Sequence, residues 1–179
     1  MSAVRALPDL TAPVEDYLKT IHELEGAGDA AGTNEIAQTL RIAPASVSGM
    51  LRRLAEQGLI RHERYRGVRL TDAGRRAALR TIRRHRVIEA YLTTALGYAW
   101  DRVHDEAERL EHAASDELVD RMAAAIGEPA TDPHGAPIPT REGTLHVRPV
   151  ARLVDIPVGR RVLVERVSDR DPERLRYLA

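Results

Sequence analysis

Val14, Tyr17, Leu18, Ile21 and Leu24 recur at three- and four-residue spacing behind Pro13. That spacing predicts a helix with one buried stripe and a proline in its first turn. Gly26, Gly28 and Gly32 end it, and Thr33 caps a short helix carrying Ile36, Ala37 and Leu40. The turn Ala43-Pro44-Ala45-Ser46 leads into a third helix that turns Val47, Met50, Leu51 and Leu54 inward and stops at Gly58. Residues 59–70 then alternate apolar with charged side chains around a turn at Arg66-Gly67, which predicts a two-stranded hairpin. Thr71-Asp72 opens a long helix to about residue 96, broken by Gly97, and one further helix is predicted over about 102–126. Pro129, Pro133, Pro137 and Pro139, interspersed with glycines, make 127–143 a linker. From residue 145 the pattern is that of strands, at 145–147, 153–154 and 162–164, while residues 1–12 read as a loose leader.

Three short helices followed by a hairpin is the element order of a winged helix-turn-helix, so the chain is predicted to be mainly α with a DNA-binding module at its start. On the third helix Ala45, Ser46, Ser48, Gly49, Arg52 and Arg53 point away from the apolar stripe. Small side chains allow close approach to a backbone or base edge, and guanidinium groups neutralise phosphate or grip guanine with two hydrogen bonds. The hairpin tip, with Arg64 and Arg66, would be the wing, and Thr33 joins the set at the start of the second helix.

The net charge of zero hides an asymmetry. Residues 41–86 hold thirteen Arg against three acids, and residues 101–128 hold nine acids against three Arg. A cationic half followed by an anionic half fits a polyanion-binding module followed by a cation-binding one. The anionic half contains His104, Glu108, Glu111 and His112, which fall on one helical face, and the helix before it carries His85 and Glu89 one turn apart. Carboxylates and imidazoles crowded on one stripe are poor core filling unless a cation neutralises them. A short connection would bring the two stripes together. Oxygen and imidazole ligands without sulfur suit Mn(II), Fe(II), Co(II) or Zn(II). The alternative is a set of surface ion pairs with Arg102, Arg109 and Arg121.

The chain has no cysteine, so thiolate ligands and disulfides are excluded. No apolar run approaches the ~20 residues of a membrane span, and the start lacks the basic-then-apolar pattern of a secretion signal. A cytoplasmic protein is expected. The His/Glu cluster matches neither H-E-x-x-H nor H-x-x-E-H, because position 109 is Arg, and no nucleophile elbow or phosphate loop is present. The protein is therefore not expected to be an enzyme. A metal-dependent hydrolase, or a winged-helix regulator sensing an organic ligand, is the competing expectation.

Residues 15–24, 44–50, 85–89 and 103–112 together resemble the diphtheria toxin repressor family, which includes the manganese transport regulators. The resemblance runs from residue 14 to about 140. It implies one metal position formed by His85, Glu89 and His104, and another formed by Asp16, Glu108, Glu111 and His112. Iron-responsive members carry Met and Cys where this chain has Asp16 and Glu108. The all-oxygen pair favours Mn(II), with Fe(II) the alternative. Lys19 stands where some manganese regulators have an acid, so two separated sites are expected rather than their paired arrangement. The base-contacting Gln or Lys of the family falls at Gly49, which shifts weight to DNA shape and phosphate contacts.

A homodimer is expected, with part of the 102–126 helix packing against its twin through Leu118, Val119, Met122 and Ile126. It would bind a pseudo-palindromic double-stranded operator, and the resemblance implies that it represses metal uptake genes when metal is abundant. The tail resembles the family's SH3-like domain, and its residues are too few for the whole of one. Members of the family sometimes place an extra metal or anion ligand in this domain, for which Glu173 or a nearby acid is the candidate. The expected division is a winged-helix domain at 1–72, a helical metal-binding and dimerisation domain at 73–140, and a linker with the start of an SH3-like domain at 141–179.

Overall fold

The computed structural model describes residues 10–26, 28–169 and 171–178, so most of the leader expected at 1–12 lies outside the described residues. The chain forms two compact units, residues 1–81 and 82–179.

The first unit contains α1 (Ala12–Glu25), α2 (Thr33–Leu40), α3 (Pro44–Glu56), β1 (Ile60–Glu63), β2 (Gly67–Leu70) and the beginning of α4 (Asp72–Leu96). Prolines in the first turns of α1 and α3 spend a ring where the backbone donor would have had no helical partner. The start of α2 differs from the sequence expectation by one residue. Gly32 is its cap, and the Gly32 N–H donates to the Glu35 carboxylate at 2.9 Å. Tyr17, Leu18, Ile21, Ile36, Val47, Leu51, Leu54 and Val68 meet in one buried core.

The hairpin is antiparallel, with Ile60 opposite Leu70 and Glu63 opposite Gly67. Its turn is Arg64 to Arg66, and Gly67 already belongs to β2. The root of the hairpin is held from several sides. Ala31 N–H donates to the Val68 carbonyl at 2.9 Å, and Val68 N–H donates back at 3.0 Å. Gly67, at φ +119°, lies so close to this crossing that a β-carbon would sit 2.2 Å from the Ala31 carbonyl oxygen. Leu70 N–H donates at 2.6 Å to the buried Glu25 carboxylate, which also pairs with Arg75 at 3.0 Å. A buried carboxylate is tolerated where a charged donor and a backbone donor both reach it.

The second unit contains the remainder of α4, α5 (Val103–Leu110), α6 (Asp116–Ala125) and α7 (Pro172–Leu178). Val87, Ile88, Leu92, Val103, Ala107, Val119 and Ala123 form its core. The single helix expected over 102–126 is two helices. Ser115 restarts the chain by accepting the Leu118 N–H at 3.2 Å, with Asp116 and Glu117 in the first turn, where the helix dipole favours acids. The Ser-Asp-Glu start signal was present in the sequence and was outvoted by continuous apolar periodicity.

Residues 127–143 are no free linker. Arg83 donates to the Pro139 carbonyl at 3.0 Å, Arg86 donates to the Pro137 carbonyl at 2.5 Å, and Ile138 packs on the core. The segment is a strap along α4. The strands expected from residue 145 onward are not formed among the described residues. Residues Leu153–Asp155 make a short 3₁₀ turn, and Val154 and Leu163 are 81% and 86% exposed. An extended segment becomes a strand only when a neighbour accepts its backbone hydrogen bonds. Here the Val167 N–H donates to the His134 backbone carbonyl at 3.0 Å instead. α7 docks through buried Leu175 and an Arg176–Asp101 ion pair of 3.4 Å.

Candidate metal centre and nucleic-acid face

α4 presents His85 and Glu89 one turn apart, and α5 presents His104 and Glu108. α5 ends at Leu110, but the Glu111 N–H still donates to the Ala107 carbonyl at 2.9 Å, so Glu111 keeps the helical facing and His112 follows in the turn. His85, Glu89 and Glu111 are 4%, 0% and 0% exposed. The basic side chains of Arg83, Arg84 and Arg86 flank His85 in the sequence. Burial is possible because those guanidiniums are spent elsewhere within the unit. Arg83 donates to Asp120 at 3.0 Å, Arg84 to Asp116 at 2.9 Å, and Arg86 to the strap. Arg83 and Arg141 together hold the Asp120 carboxyl below its usual range, outweighing the upward push of burial.

The two ligand sets expected to be separate are contiguous at His85. Its Nε2 lies 3.1 Å from Glu89 Oε1, and its Nδ1 lies 2.5 Å from Glu111 Oε2 and 3.6 Å from Glu108 Oε1. His104 Nδ1 stands 3.3 Å from Glu89, 3.5 Å from Asp169 and 3.2 Å from His85 Nε2. His112 Nε2 is 3.5 Å from the other Glu111 oxygen. The tail places Asp169 beside this group, while Glu173 is exposed. Asp16 lies half-buried on α1 of the first unit.

A further group, missed in the sequence, lies on the strap. Glu89, Asp132 and His134 are all buried and offer ligand atoms within 4.8 Å of one another. Asp132 Oδ1 accepts the His134 and Ala136 N–H groups, each at 2.9 Å, which shapes the turn and leaves Oδ2 without a hydrogen bond. His134 Nε2 donates to the Trp100 carbonyl at 2.7 Å, and its ring stacks on the Trp100 indole with centroids 5.9 Å apart. That assignment aims Nδ1 at Glu89 Oε2, 3.7 Å away, and neither atom has a hydrogen-bond partner among the described residues. A lone pair facing a carboxylate in a dry site calls for a proton or a metal cation between them. Burial pushes the His134 pKa down, but Glu89 and the Trp100 carbonyl outweigh it and raise it to about 8. Burial would raise the Glu89 carboxyl too, yet His104, His134 and His85 hold it well below the carboxylate range. Burial and the Glu89 charge push Asp132 upward. The donor set, all oxygen and imidazole with orphaned buried atoms, fits a hard or borderline divalent cation. The sequence signal was Asp132-Pro-His134-Gly, two ligand types across a proline turn, obscured by a composition read as linker.

On the first unit, Ala45, Ser46, Ser48, Gly49, Arg52 and Arg53 of α3 and Arg64 and Arg66 of the hairpin are exposed, and Thr33 is half-buried. A β-carbon at Gly49 would meet nothing within 4 Å. Gly49→Ala is therefore expected to stabilise the fold by about 0.5–1 kcal/mol through helix propensity alone. A urea midpoint that rises checks this, and a fall would mean the position is not open. Of the dimer contacts expected on α6, Val119 is 1% exposed and belongs to the core of its own unit, so it is not available to a partner. Leu118 is 45% exposed, and Met122 and Ile126 are half-covered.

Residues 9–68 match the profile described as the iron dependent repressor N-terminal DNA binding domain, and residues 71–140 match that of the iron dependent repressor metal binding and dimerisation domain. The iron-dependent repressor IdeR of Mycobacterium tuberculosis is 34% identical over 164 residues, covering 87% of this chain and 71% of that protein. This chain belongs to the iron-dependent repressor family. A diphtheria toxin repressor from Corynebacterium jeikeium is 38% identical over 131 residues. The alignment spans 73% of this chain and only 55% of that relative's length. Among solved structures, a manganese-dependent transcriptional repressor in complex with manganese is similar, with 44% identity and a TM-score of 0.84 over 92% of this chain and 76% of that one. ScaR with bound Zn2+ follows with 33% identity and a TM-score of 0.79 over 92% of this chain and 77% of that one. The iron-dependent repressor family is one of transcriptional regulators, which leaves the hydrolase reading without support. No described helix is long and apolar enough to cross a membrane.

Proposed function

We propose that this protein is a metal-activated transcriptional repressor that binds double-stranded operator DNA as a homodimer, responds to Mn(II), and silences metal uptake genes when metal is plentiful. The observation that carries the reading is the buried, sulfur-free cluster around Glu89, whose unpartnered oxygen and nitrogen atoms face one another. A cation supplies the positive charge that lets these carboxylates sit in a dry interior. His85, Glu89, His104 and Asp169 would hold one ion, with Asp132 and His134 completing the far side of Glu89. Glu108, Glu111 and His112 would serve a second, and the sequence resemblance adds Asp16 to them. A shared ion of that kind would couple metal occupancy to DNA affinity, and the coupling is reciprocal.

Manganese is favoured by the carboxylates at positions 16 and 108 and by the manganese repressor resemblance. Fe(II) is the second reading, favoured by the IdeR relatives; Co(II) and Zn(II) fit the same donors. The operator would be pseudo-palindromic, read in the cytoplasm by α3 and the hairpin, with Leu118, Met122 and Ile126 at the dimer contact. On this reading the domains are a winged helix to residue 72, a helical metal-binding and dimerisation domain to 140, and a linker leading into an SH3-like domain.

The test is fluorescence anisotropy of labelled promoter DNA from a metal-uptake gene, with chelator-stripped protein titrated by Mn(II) and, anaerobically, by Fe(II). Metal should tighten binding by about 5–150-fold, the usual span of allosteric coupling. Asp16→Ala should lose that gain while sedimenting as the same dimer. A full Mn(II) response in that variant sinks the role of Asp16, and equal binding with and without metal sinks the sensor reading.

A further inference from the structure

The hairpin is rigid at its root and unusual at its tip. Tyr65 is 91% exposed and adopts φ +64°, a left-handed conformation that Gly or Asn enters with far less strain. The Arg64 guanidinium lies over its ring, 4.9 Å from the centroid, and Arg66 flanks it on the other side of the turn, also exposed. The acid nearest in sequence, Glu63, is already held by Arg69 at 2.9 Å, and Arg69 also donates to the Gly28 carbonyl at 3.1 Å. The tip thus presents two cations and one apolar plane on a fixed mount, in a strained backbone of the kind that clusters at functional sites.

We propose that Arg64, Tyr65 and Arg66 form a minor-groove probe that makes this protein prefer A/T-rich base pairs beside its recognition sequence; the proposal rests on the DNA-binding reading above. Phosphate neutralisation needs only the arginines. The Tyr65 hydroxyl can reach a phosphate, but the ring itself has no use there and packs against the apolar deoxyribose edges that wall the minor groove. That groove is about 6 Å wide in B-DNA and accepts a single guanidinium plane, not a ring and guanidinium stacked together. Arg64 therefore leaves the ring on entry, and Tyr65 rests at the lip. A/T-rich tracts narrow the groove and deepen its negative potential, which draws arginine in. The guanine 2-amino group, which projects into the groove floor, opposes it. With Gly49 in place of a long base-reading side chain on α3, this chain has shape readout where direct readout is thin.

The experiment is selection from a random duplex library with the full chain and Mn(II), run on the wild type, Tyr65→Asn and Tyr65→Phe. Asn tolerates the left-handed backbone and removes the ring, and Phe keeps the ring. Wild type and Tyr65→Phe should enrich A/T-rich flanks around a common core, and Tyr65→Asn the core alone. On one enriched core, replacing A·T flanks by G·C should weaken wild-type binding at least about fivefold, the lower end of the effect of one wrong base pair. Inosine·cytosine flanks, which lack the 2-amino group, should restore it. No enriched sequence in any arm removes the DNA-binding reading and this one with it. An enriched core without flank preference, a preference unchanged in Tyr65→Asn, or no rescue by inosine overturns the probe alone.

Discussion

Chelator-stripped protein should unfold roughly 5–10 °C higher once Mn(II) is supplied at a hundred times its dissociation constant. A ligand at that excess, binding the folded state only, stabilises by about 2.7 kcal/mol, and in a chain of this length each kcal/mol moves the midpoint by about 2–4 °C. The site makes such selective binding natural, because its donors come from α4, α5, the strap and the tail and converge only in the folded chain. Glu89 is the residue to change. It is fully buried and belongs both to the group with His85, His104 and Asp169 and to the group with Asp132 and His134. Glu89→Gln keeps the volume and one acceptor but removes the charge, so it should abolish most of the shift, whatever it does to the metal-free midpoint. Calorimetry with and without metal measures both. A variant that shifts as far as the wild type would show that the cation binds elsewhere, and a wild type indifferent to every divalent metal tried would show that the cluster is structural.

Gly74→Ala should destabilise the first unit, with a net loss of up to about 2 kcal/mol. Gly74 lies in the first turn of α4, and a β-carbon there would be 2.0 Å from the Leu59 carbonyl oxygen and 3.2 Å from Leu70 Cδ2. The carbonyl cannot retreat cheaply, because it accepts the Thr71 N–H at 3.0 Å and the Thr71 hydroxyl at 3.1 Å. Overpacking of this kind costs about 1–3 kcal/mol and occasionally more, which exceeds the gain in helix propensity of about 1 kcal/mol. Urea unfolding reads the difference. The comparison with Gly49→Ala is the control, since the same chemical change in an open helical position has the opposite expected sign. A rise in the Gly74→Ala midpoint would mean that α4 does not pass this close to the Leu59 carbonyl.

How much of this was legible in the sequence depended on the range of the interaction. α1, α3, the hairpin and the whole of α4 followed from local periodicity, prolines and glycines, because their burial pattern is set within a few residues. The clustering of His and Glu on α4 and α5 was legible for the same reason: a helix fixes which side chains share a face. The break at residues 111–115 was not, because Ser115 competes with an apolar spacing that continues across it. The strap was misread because its backbone partners, Arg83 and Arg86, lie some fifty positions earlier and their carbonyl contacts leave no local mark. Asp132 and His134 were lost with it, and Asp169 with the tail, since a side chain's neighbours are known only once the element opposite it is. Val119 was assigned to a partner because an apolar stripe does not say which surface covers it.

One indole serves the entire chain. Trp100 leans on His134, inside the second unit, with its own carbonyl engaged by that imidazole. Indole emission, excited where tyrosine does not absorb, is therefore a narrow window, open onto the Glu89 neighbourhood and blind to the winged helix. A denaturation curve followed by this light and one followed by backbone dichroism watch different parts of the protein. Where the two curves separate, the gap measures how independently the DNA-reading half comes apart.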